Sequence, residues 1–259
     1  TVSTNVLTFV FGRFYPINDV GNYSQAYNWD TKANSFVANT VGQIAQPVLA
    51  SVREDEGREI LVFRKMLRFT AFLSFPLMFG LTLVSREFIL ITIHEKWIAS
   101  VPLLQILCVS GAFMPIYTLY QNLAISKGRS DVYMWCNLGQ VVGLLGLVLF
   151  CHQYGIHTMV VAYTLFIIGW LLVWQWMIWR IAGLRFLDVA KDVFPFMSCA
   201  ALTMVATYFI TCGIENIYLL LLARVLLSTV IYFCVMKLLR VRILDECLAF
   251  AKKKFSKGK

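Results

Sequence analysis

The sequence predicts an all-α protein, a polytopic bundle of membrane-spanning helices. Of its 259 residues, 59% are hydrophobic and only 14% are charged, and the mean hydropathy of +0.71 is far above that of soluble domains. Apolar runs of about 20 residues follow one another at short intervals, and this is the length that a helix needs to cross a bilayer. Helices are the economical structure because a backbone in lipid must satisfy its own hydrogen bonds, and these runs exceed the ~10 residues of a barrel strand.

The spans follow in order along the chain. The first apolar run, TNVLTFVFG, is about half of the ~20 residues that a span needs, so we expect a truncated span and a missing N-terminal part of a longer protein. A more polar segment at 22–50 comes next. Six apolar runs then predict spans at 67–93, 99–125, 131–151, 156–179, 190–212 and 216–238. The prediction is therefore seven complete spans and one truncated span, with kinks at Pro76 and Pro115.

The basic residues predict the orientation of these spans. Of the 23 Lys and Arg residues, 18 lie in alternate connections and in the C-terminal tail, whereas the other set of connections holds only Arg13, Arg86 and Lys96. Lys and Arg are enriched in the cytoplasmic loops of membrane proteins. The strict alternation supports both the number of spans and a multi-pass topology with a cytoplasmic C-terminus.

The same distribution explains the net charge of +9. The excess lies on one membrane face and in a basic cytoplasmic tail at 241–259, which follows a transmembrane region at 1–240. Contact with anionic membrane lipids explains such a distribution better than nucleic-acid binding does. We therefore predict membrane lipids, and no nucleic acid, among the partners.

The segment 22–50 is predicted to be an amphipathic helix with a polar face. At ~100° per residue, most of its polar side chains fall within one arc of about 120°. Asp30 and Asn34 lie outside this arc and break the pattern. At ~1.5 Å per residue, the segment is long enough to cross a bilayer. The members of the arc that we predict to line a substrate cavity are Asn28, Lys32, Ser35, Asn39, Gln43 and Gln46.

Two interpretations of this face are open. A stripe of uncharged Asn, Gln and Ser side chains could form the wall of a hydrated cavity that hydrogen-bonds a polyhydroxylated cargo. It could also tie helices together by hydrogen bonds. Polar side chains turned to lipid are costly, so the stripe must face water or other helices. Its length favours the cavity. Asp30 and Lys32 cannot face each other on a helix, so we expect each to have a partner on another span or to lie near the outer mouth.

Other polar residues inside the spans extend the candidate site. Tyr117, Gln121 and Asn122 lie in the span at 99–125, and Tyr117 and Gln121 share a face at a spacing of four. Arg224 lies in the last span as either a buried or a snorkelling charge. We include Tyr117, Gln121 and Asn122 among the predicted cavity residues.

Motifs for catalysis, metal binding or cofactor binding do not occur in the sequence. His94 and Glu95 lack the second His of a zinc motif, and the seven cysteines are scattered singly. The chain offers no Gly-rich phosphate loop, nucleophile elbow or pair of acids. We predict a transporter rather than an enzyme, with no catalytic residues, no metal and no cofactor.

Several segments, taken in order, resemble the C-terminal half of bacterial polysaccharide flippases. They are DVGNYSQAYNW, PVLASVREDEGREILVFRKMLRFTAFLSFPLMFGL, EKWIASVPLLQILCVSG and LAISKGRSD. These flippases belong to the multidrug/oligosaccharidyl-lipid/polysaccharide exporter superfamily, and the resemblance is to its lipopolysaccharide and O-antigen branch. It covers about residues 5–195, while the last two spans match in hydropathy only.

The resemblance implies the second lobe of a two-lobed, MATE-like transporter. Such proteins move undecaprenyl-diphosphate-linked oligosaccharide across the inner membrane by alternating access, in lipopolysaccharide, O-antigen or capsule biosynthesis. Polysaccharide assembly proteins are then expected partners. Lys32 and, second, Arg224 are the candidates for contact with the lipid diphosphate. The alternatives are a drug or small-molecule exporter of the same superfamily and a membrane polysaccharide polymerase.

Overall fold

A computed structural model of the chain describes residues 15–52 and 55–239. Within these ranges it is helical, with no β-strand, which confirms the predicted all-α fold class. Two 3₁₀ turns, Glu95–Trp97 and His152–Tyr154, separate helices at one end of the bundle. The helices are α1 (Ile17–Ser51), α2 (Glu56–Ile93), α3 (Ser100–Gly111), α4 (Met114–Ser126), α5 (Ser130–Cys151), α6 (Ile156–Ala182), α7 (Phe186–Ile210) and α8 (Ile217–Leu238).

Six segments of the described residues are long and apolar enough to cross a membrane. They are α2, the pair α3 and α4 together, and each of α5 to α8. Helix α1 has 35 residues, about 52 Å at ~1.5 Å per residue, but its polar side chains keep it out of this set. The count of seven complete spans therefore stays a prediction, and the truncated run at the N-terminus lies outside the described residues.

The predicted span at 99–125 is divided into two helices. Helix α3 ends at Gly111, and α4 begins at Met114 with Pro115 in its first turn. Proline has no N–H and its ring collides with the carbonyl group four residues earlier, which here belongs to Gly111. The hydroxyl group of Ser74 donates a hydrogen bond of 2.7 Å to the carbonyl oxygen of Ala112 in the break. Pro76, in contrast, lies within an uninterrupted α2.

Helices α1 to α6 form the main core. The apolar side of α1 is buried against α2, α3 and α4, whereas α6 packs on α3, α4 and α5. Helices α7 and α8 are arranged differently, since they pack mainly on α2 and on each other. The long helix α2 thus joins a six-helix bundle to a two-helix pair.

Polar contacts bring alternate connections of the chain to one end of this assembly. Lys127 Nζ lies 2.8 Å from Glu59 Oε2 near the start of α2, and Arg64 Nε lies 2.6 Å from Asp192 Oδ2 in α7. The connections before α2, α5 and α7 therefore share one end. They are three of the basic connections that the sequence places on a common membrane face.

Candidate functional site

The candidate site is the polar face of α1, formed by the six residues that the sequence predicts. Five of them are exposed and Ser35 is partly exposed. On the opposite side of the helix, Ala26, Val37 and Val41 are buried. Asn28 and Gln46 are 18 residues apart, so the face extends for about 27 Å along the helix. The exposed members are Asn28, Lys32, Asn39, Gln43 and Gln46.

The uncharged side chains of the polar face make no hydrogen bonds among the described residues. They therefore do not tie α1 to another described helix. Lys32 differs because its ammonium nitrogen lies 4.5 Å from the centre of the Trp29 ring, a cation–π arrangement. Trp29 in turn packs edge-on against Phe88 of α2, with the ring centres 4.8 Å apart. The ammonium group of Lys32 thus contacts an aromatic ring that is packed on α2, while the Lys32 side chain remains exposed.

Asp30 and Asn34, which break the polar arc in sequence, belong to the buried side of α1. They are only 4% and 7% exposed. Asn34 Nδ2 donates a hydrogen bond of 3.2 Å to Asp30 Oδ2 one helical turn away. The expected partner of Asp30 on another span is thus replaced, within the described residues, by a partner on the same helix. The pair belongs to the interior of the bundle rather than to the polar face.

Gly111 fits closely against this buried carboxyl group. A Cβ atom at position 111 would lie 2.2 Å from Asp30 Oδ1 and 2.6 Å from Met78 Cε. No real side chain tolerates these distances, so only glycine lets the break between α3 and α4 approach α1 this closely. The unpaired oxygen of Asp30 therefore faces the backbone at the end of α3.

The three predicted cavity residues of α4 have different surroundings. Tyr117 is 4% exposed and donates a hydrogen bond to the backbone carbonyl of Ile167 in α6. Asn122 is buried, and its amide group donates a 2.8 Å hydrogen bond to the carbonyl oxygen of Thr118. Gln121 is partly exposed. The structure therefore places Tyr117 and Asn122 in the interior of the bundle and not on the open polar face, and each side chain donates a hydrogen bond to a backbone carbonyl group there.

Arg224 is a buried charge rather than a snorkelling one. Its side chain is 9% exposed, and its Nη1 lies 2.9 Å from Glu87 Oε2. The guanidinium group also donates hydrogen bonds to the carbonyl oxygen of Leu83 at 3.1 Å and to the hydroxyl group of Thr211 at 3.3 Å. A cavity of about 960 Å³ adjoins this ion pair between α2, α7 and α8, and no residue of α1 lines it. Arg224 therefore lies away from the polar face, and its charge is already neutralised by Glu87.

The carboxylates that pair with the basic residues of these helices were not predicted from the sequence. Glu87 carries a signal, since an acidic residue inside an apolar span requires a partner, but its partner Arg224 is 137 positions away along the chain. Glu59 looks like part of a solvated charged connection, yet it is fully buried and accepts a 3.1 Å hydrogen bond from Ser126. Sequence spacing does not reveal such pairs.

The chain is similar in sequence to a family model and to several known proteins. Residues 1–102 match the family model described as "Polysaccharide biosynthesis protein". The chain is 27% identical over 161 residues to the lipopolysaccharide biosynthesis protein WzxC of Escherichia coli, which covers 57% of this chain and 33% of that protein. It is 28% identical over 208 residues to the teichuronic acid biosynthesis protein TuaB of Bacillus subtilis, which covers 79% of this chain and 43% of that protein.

A third relative and a solved structure extend the comparison. The chain is 27% identical over 150 residues to the succinoglycan biosynthesis transport protein ExoT of Rhizobium meliloti, which covers 56% of this chain and 30% of that protein. It matches the structure of the lipid II flippase MurJ in its inward closed conformation with a TM-score of 0.75 at 15% identity, over 89% of this chain and 49% of that one.

The chain spans less than half the length of each of these curated relatives. Its match to the flippase structure covers nearly all of this chain and about half of the flippase. At 15% identity, that match shows the fold alone. The resemblance that the sequence predicts is confirmed: the chain is a multi-pass membrane relative of bacterial polysaccharide-biosynthesis proteins and has the fold of about half of a flippase.

Proposed function

We propose that this chain forms the second lobe of a transporter that moves lipid-linked oligosaccharides across the bacterial inner membrane. The cargo would be an undecaprenyl-diphosphate-linked repeat unit, and the transport would serve lipopolysaccharide, O-antigen or capsule biosynthesis. The relatives named for polysaccharide, teichuronic acid and succinoglycan biosynthesis support the pathway class. The fold shared with a lipid II flippase supports a flipping mechanism.

The polar face of α1 is the observation that carries this proposal. A helix of membrane-spanning length shows a row of amide side chains on the outside of the bundle and buries Ala26, Val37 and Val41 on its opposite side. Such a row is costly against lipid, so it must face water or the remaining part of the protein. Amide groups both donate and accept hydrogen bonds, and the hydroxyl groups of a sugar require both. We therefore assign the polar face to one wall of the substrate cavity.

Lys32 is the candidate for contact with the lipid diphosphate. It is the cation of the polar face, and its contact with Trp29 holds it there without neutralising it by a carboxylate of the described residues. Arg224 is a poorer candidate than the sequence predicts, because its charge is already paired with Glu87.

The proposed orientation places the basic connections and the C-terminus in the cytoplasm. The ion pairs of Glu59 and Arg64 bring three connections of the basic set to one end, which agrees with the distribution of Lys and Arg. The basic tail at 241–259 lies outside the described residues, and the division into a lobe at 1–240 and this tail stays a prediction. Polysaccharide assembly proteins remain proposed partners.

A drug exporter of the same superfamily is the nearest alternative. An apolar cation would favour a carboxylate in the cavity wall, but Asp30, the acidic residue near the middle of α1, is buried on the other side of the helix. A polysaccharide polymerase, the alternative from another class, typically carries a large external loop or domain. The connections between α2 and α3, α5 and α6, and α7 and α8 are each only a few residues long. Both observations favour the transport of a sugar-containing cargo over these alternatives.

The test is deletion of the complete gene, followed by measurement of the lipid-linked repeat unit in each leaflet. Accumulation of the unit on the cytoplasmic leaflet is the expected result, since synthesis continues while flipping stops. Unpolymerised units at normal levels on the outer leaflet would contradict the proposal and favour a polymerase. Full polysaccharide together with increased drug sensitivity would favour the exporter.

A further inference from the structure

The end of α6 carries an aromatic cleft on the outer surface of the bundle. A cavity of about 400 Å³ lies where α6 turns into α7, and we call it the α6–α7 cleft. Its wall is mostly apolar, and several of its side chains are exposed large hydrophobic groups. The residues that line it are Leu172, Gln175, Trp176, Trp179, Arg185 and Phe186.

The cleft lies at the C-terminal end of a helix that is longer than the hydrocarbon core of a bilayer. Helix α6 has 27 residues, about 40 Å at ~1.5 Å per residue, whereas the hydrocarbon core is only about 30 Å thick. We place this end at the interface because it carries Arg180 and Arg185, which are costly in lipid. Trp176 and Trp179, which are 44% and 51% exposed, have the position of an aromatic belt.

Two arginines border the cleft without a carboxylate partner among the described residues. Arg180 does not line the cleft itself, but its guanidinium carbon lies 4.1 Å from the centre of the ring of Trp176, which does. The side chain of Arg185 lines the cleft itself and has neither a hydrogen bond nor an ion pair to a described residue. The nearby carboxylates of Asp188 and Asp192 are engaged by Arg64, at 3.7 Å and 2.6 Å. The cleft thus has an excess of positive charge.

The turn that carries Arg185 is held in place by a buried amide. Gln175 Nε2 donates a 2.9 Å hydrogen bond to the carbonyl oxygen of Leu184, and Gln175 Oε1 accepts a 2.6 Å hydrogen bond from the hydroxyl group of Tyr120 in α4. Gly183 closes α6 with a positive φ of 68°, a backbone conformation that glycine adopts without strain. The backbone of the turn that carries Arg185 is therefore held by the core of the bundle.

From these observations we infer that the α6–α7 cleft binds an anionic phospholipid of the surrounding membrane. Its phosphate group would contact Arg180 and Arg185, since guanidinium groups match phosphate oxygens in charge and geometry. One acyl chain would lie along Leu172 and Trp176. Basic pockets between helices at a membrane surface are suited to acidic lipid headgroups. This site is independent of the polar face of α1 and of the cargo proposed for it.

Lipid titration of the complete protein in mild detergent, followed by native mass spectrometry, tests this inference. The probes are phosphatidylglycerol and phosphatidylcholine with identical acyl chains, and the main variant is Arg180→Gln together with Arg185→Gln. We expect the apparent affinity for phosphatidylglycerol to fall on the order of tenfold, because each basic residue adds to the attraction of an acidic headgroup. Binding of phosphatidylcholine should not change.

Arg129→Gln is the matched control, because Arg129 is an exposed arginine at the same end of the bundle that already pairs with Asp131 at 2.9 Å. Equal binding of phosphatidylglycerol by the double variant and the unchanged protein overturns the inference. An equal loss in the Arg129 control, or a parallel loss of phosphatidylcholine, overturns it as well. If the double variant does not survive purification, Arg185→Gln alone gives the same comparison, since the Arg185 side chain has no bond to a described residue whose loss would disturb folding.

Discussion

The helices α1 to α6 pack on one another, whereas the pair of α7 and α8 packs mainly on α2. Inside the bundle, buried polar groups are joined by hydrogen bonds such as Asn34 to Asp30 and Ser74 to Ala112, and by the ion pair of Glu59 with Lys127. The pair is joined to α2 by two ion pairs, Arg64 with Asp192 and Arg224 with Glu87. Between them, the Tyr232 hydroxyl group donates a 3.0 Å hydrogen bond to the carbonyl oxygen of Phe72.

The chain therefore contains a compact bundle of six helices and a separately attached pair of helices. The polar face belongs to the bundle, because α1 packs on α2, α3 and α4. The pair contacts the bundle mainly through α2. Its attachment therefore depends on the ion pairs of Arg64 and Arg224 and on apolar packing against that one helix. Loss of such a contact should therefore open the pair before it disturbs the bundle.

Arg224→Met should have the largest effect and should act on the pair. It leaves Glu87 buried without a counter-charge, and breaking a buried ion pair in this way costs about 3–5 kcal/mol. Hydrogen exchange measured by mass spectrometry should rise in α7 and α8, while the protection of α1 and α4 remains. The double variant Arg224→Met with Glu87→Leu should recover most of the stability, because apolar residues can replace such a pair. Uniformly increased exchange along the chain would show that the two regions do not open separately.

Gly111→Ala should have the next largest effect and should act on the bundle. The added methyl group would collide with Asp30 and Met78, and overpacking of a core costs about 1–3 kcal/mol. The thermal unfolding midpoint in detergent should fall. Gly146→Ala is the control, because a Cβ atom at position 146 meets nothing within 4 Å and alanine favours a helix. Equal midpoints for both variants would mean that the break between α3 and α4 is not packed closely against α1.

Asp192→Asn should weaken the attachment of the pair by only about 1 kcal/mol, because its partner Arg64 is partly exposed and screened by solvent. Hydrogen exchange at the start of α7 should rise slightly, and high salt should reduce the difference from the unchanged protein. Asp131→Asn, which removes an exposed ion pair with Arg129, should leave exchange in α7 unchanged. An effect on α7 as large as that of Arg224→Met would reverse the proposed order of the two contacts.

Replacement of Asn39, Gln43 and Gln46 by Leu should have the smallest effect on stability, within about 0.5 kcal/mol, because these side chains are exposed and bond to no described residue. Membrane insertion should remain intact, yet transport of the lipid-linked unit should stop. Asn137→Leu on α5, a partly exposed polar residue whose amide group donates a 2.7 Å hydrogen bond to the carbonyl oxygen of Tyr133, should leave transport unchanged. Full transport in the triple variant would mean that the polar face serves packing against the rest of the protein.

Much of the fold could be predicted because its signals are local. The apolar runs predict α5 to α8 to within a few residues, and the 3.6-residue period identifies the two sides of α1. The start of α2 at Glu56 rather than at 67 was missed, since its first turns are charged and their burial depends on partners such as Lys127. Among the candidate residues, the six on α1 share one face as predicted, whereas Tyr117, Asn122 and Arg224 are occupied by interior contacts.

The helical class, the alternation of basic connections and the amphipathic nature of α1 follow from the sequence alone, because hydropathy and helical period are properties of neighbouring residues. The place of Asp30 follows from the tertiary structure, since it depends on the approach of Gly111 from a break 81 residues away. The tertiary structure also decided that Arg224 pairs with Glu87 instead of remaining free. Such pairings depend on which helices pack together, and the local pattern of a sequence does not specify this.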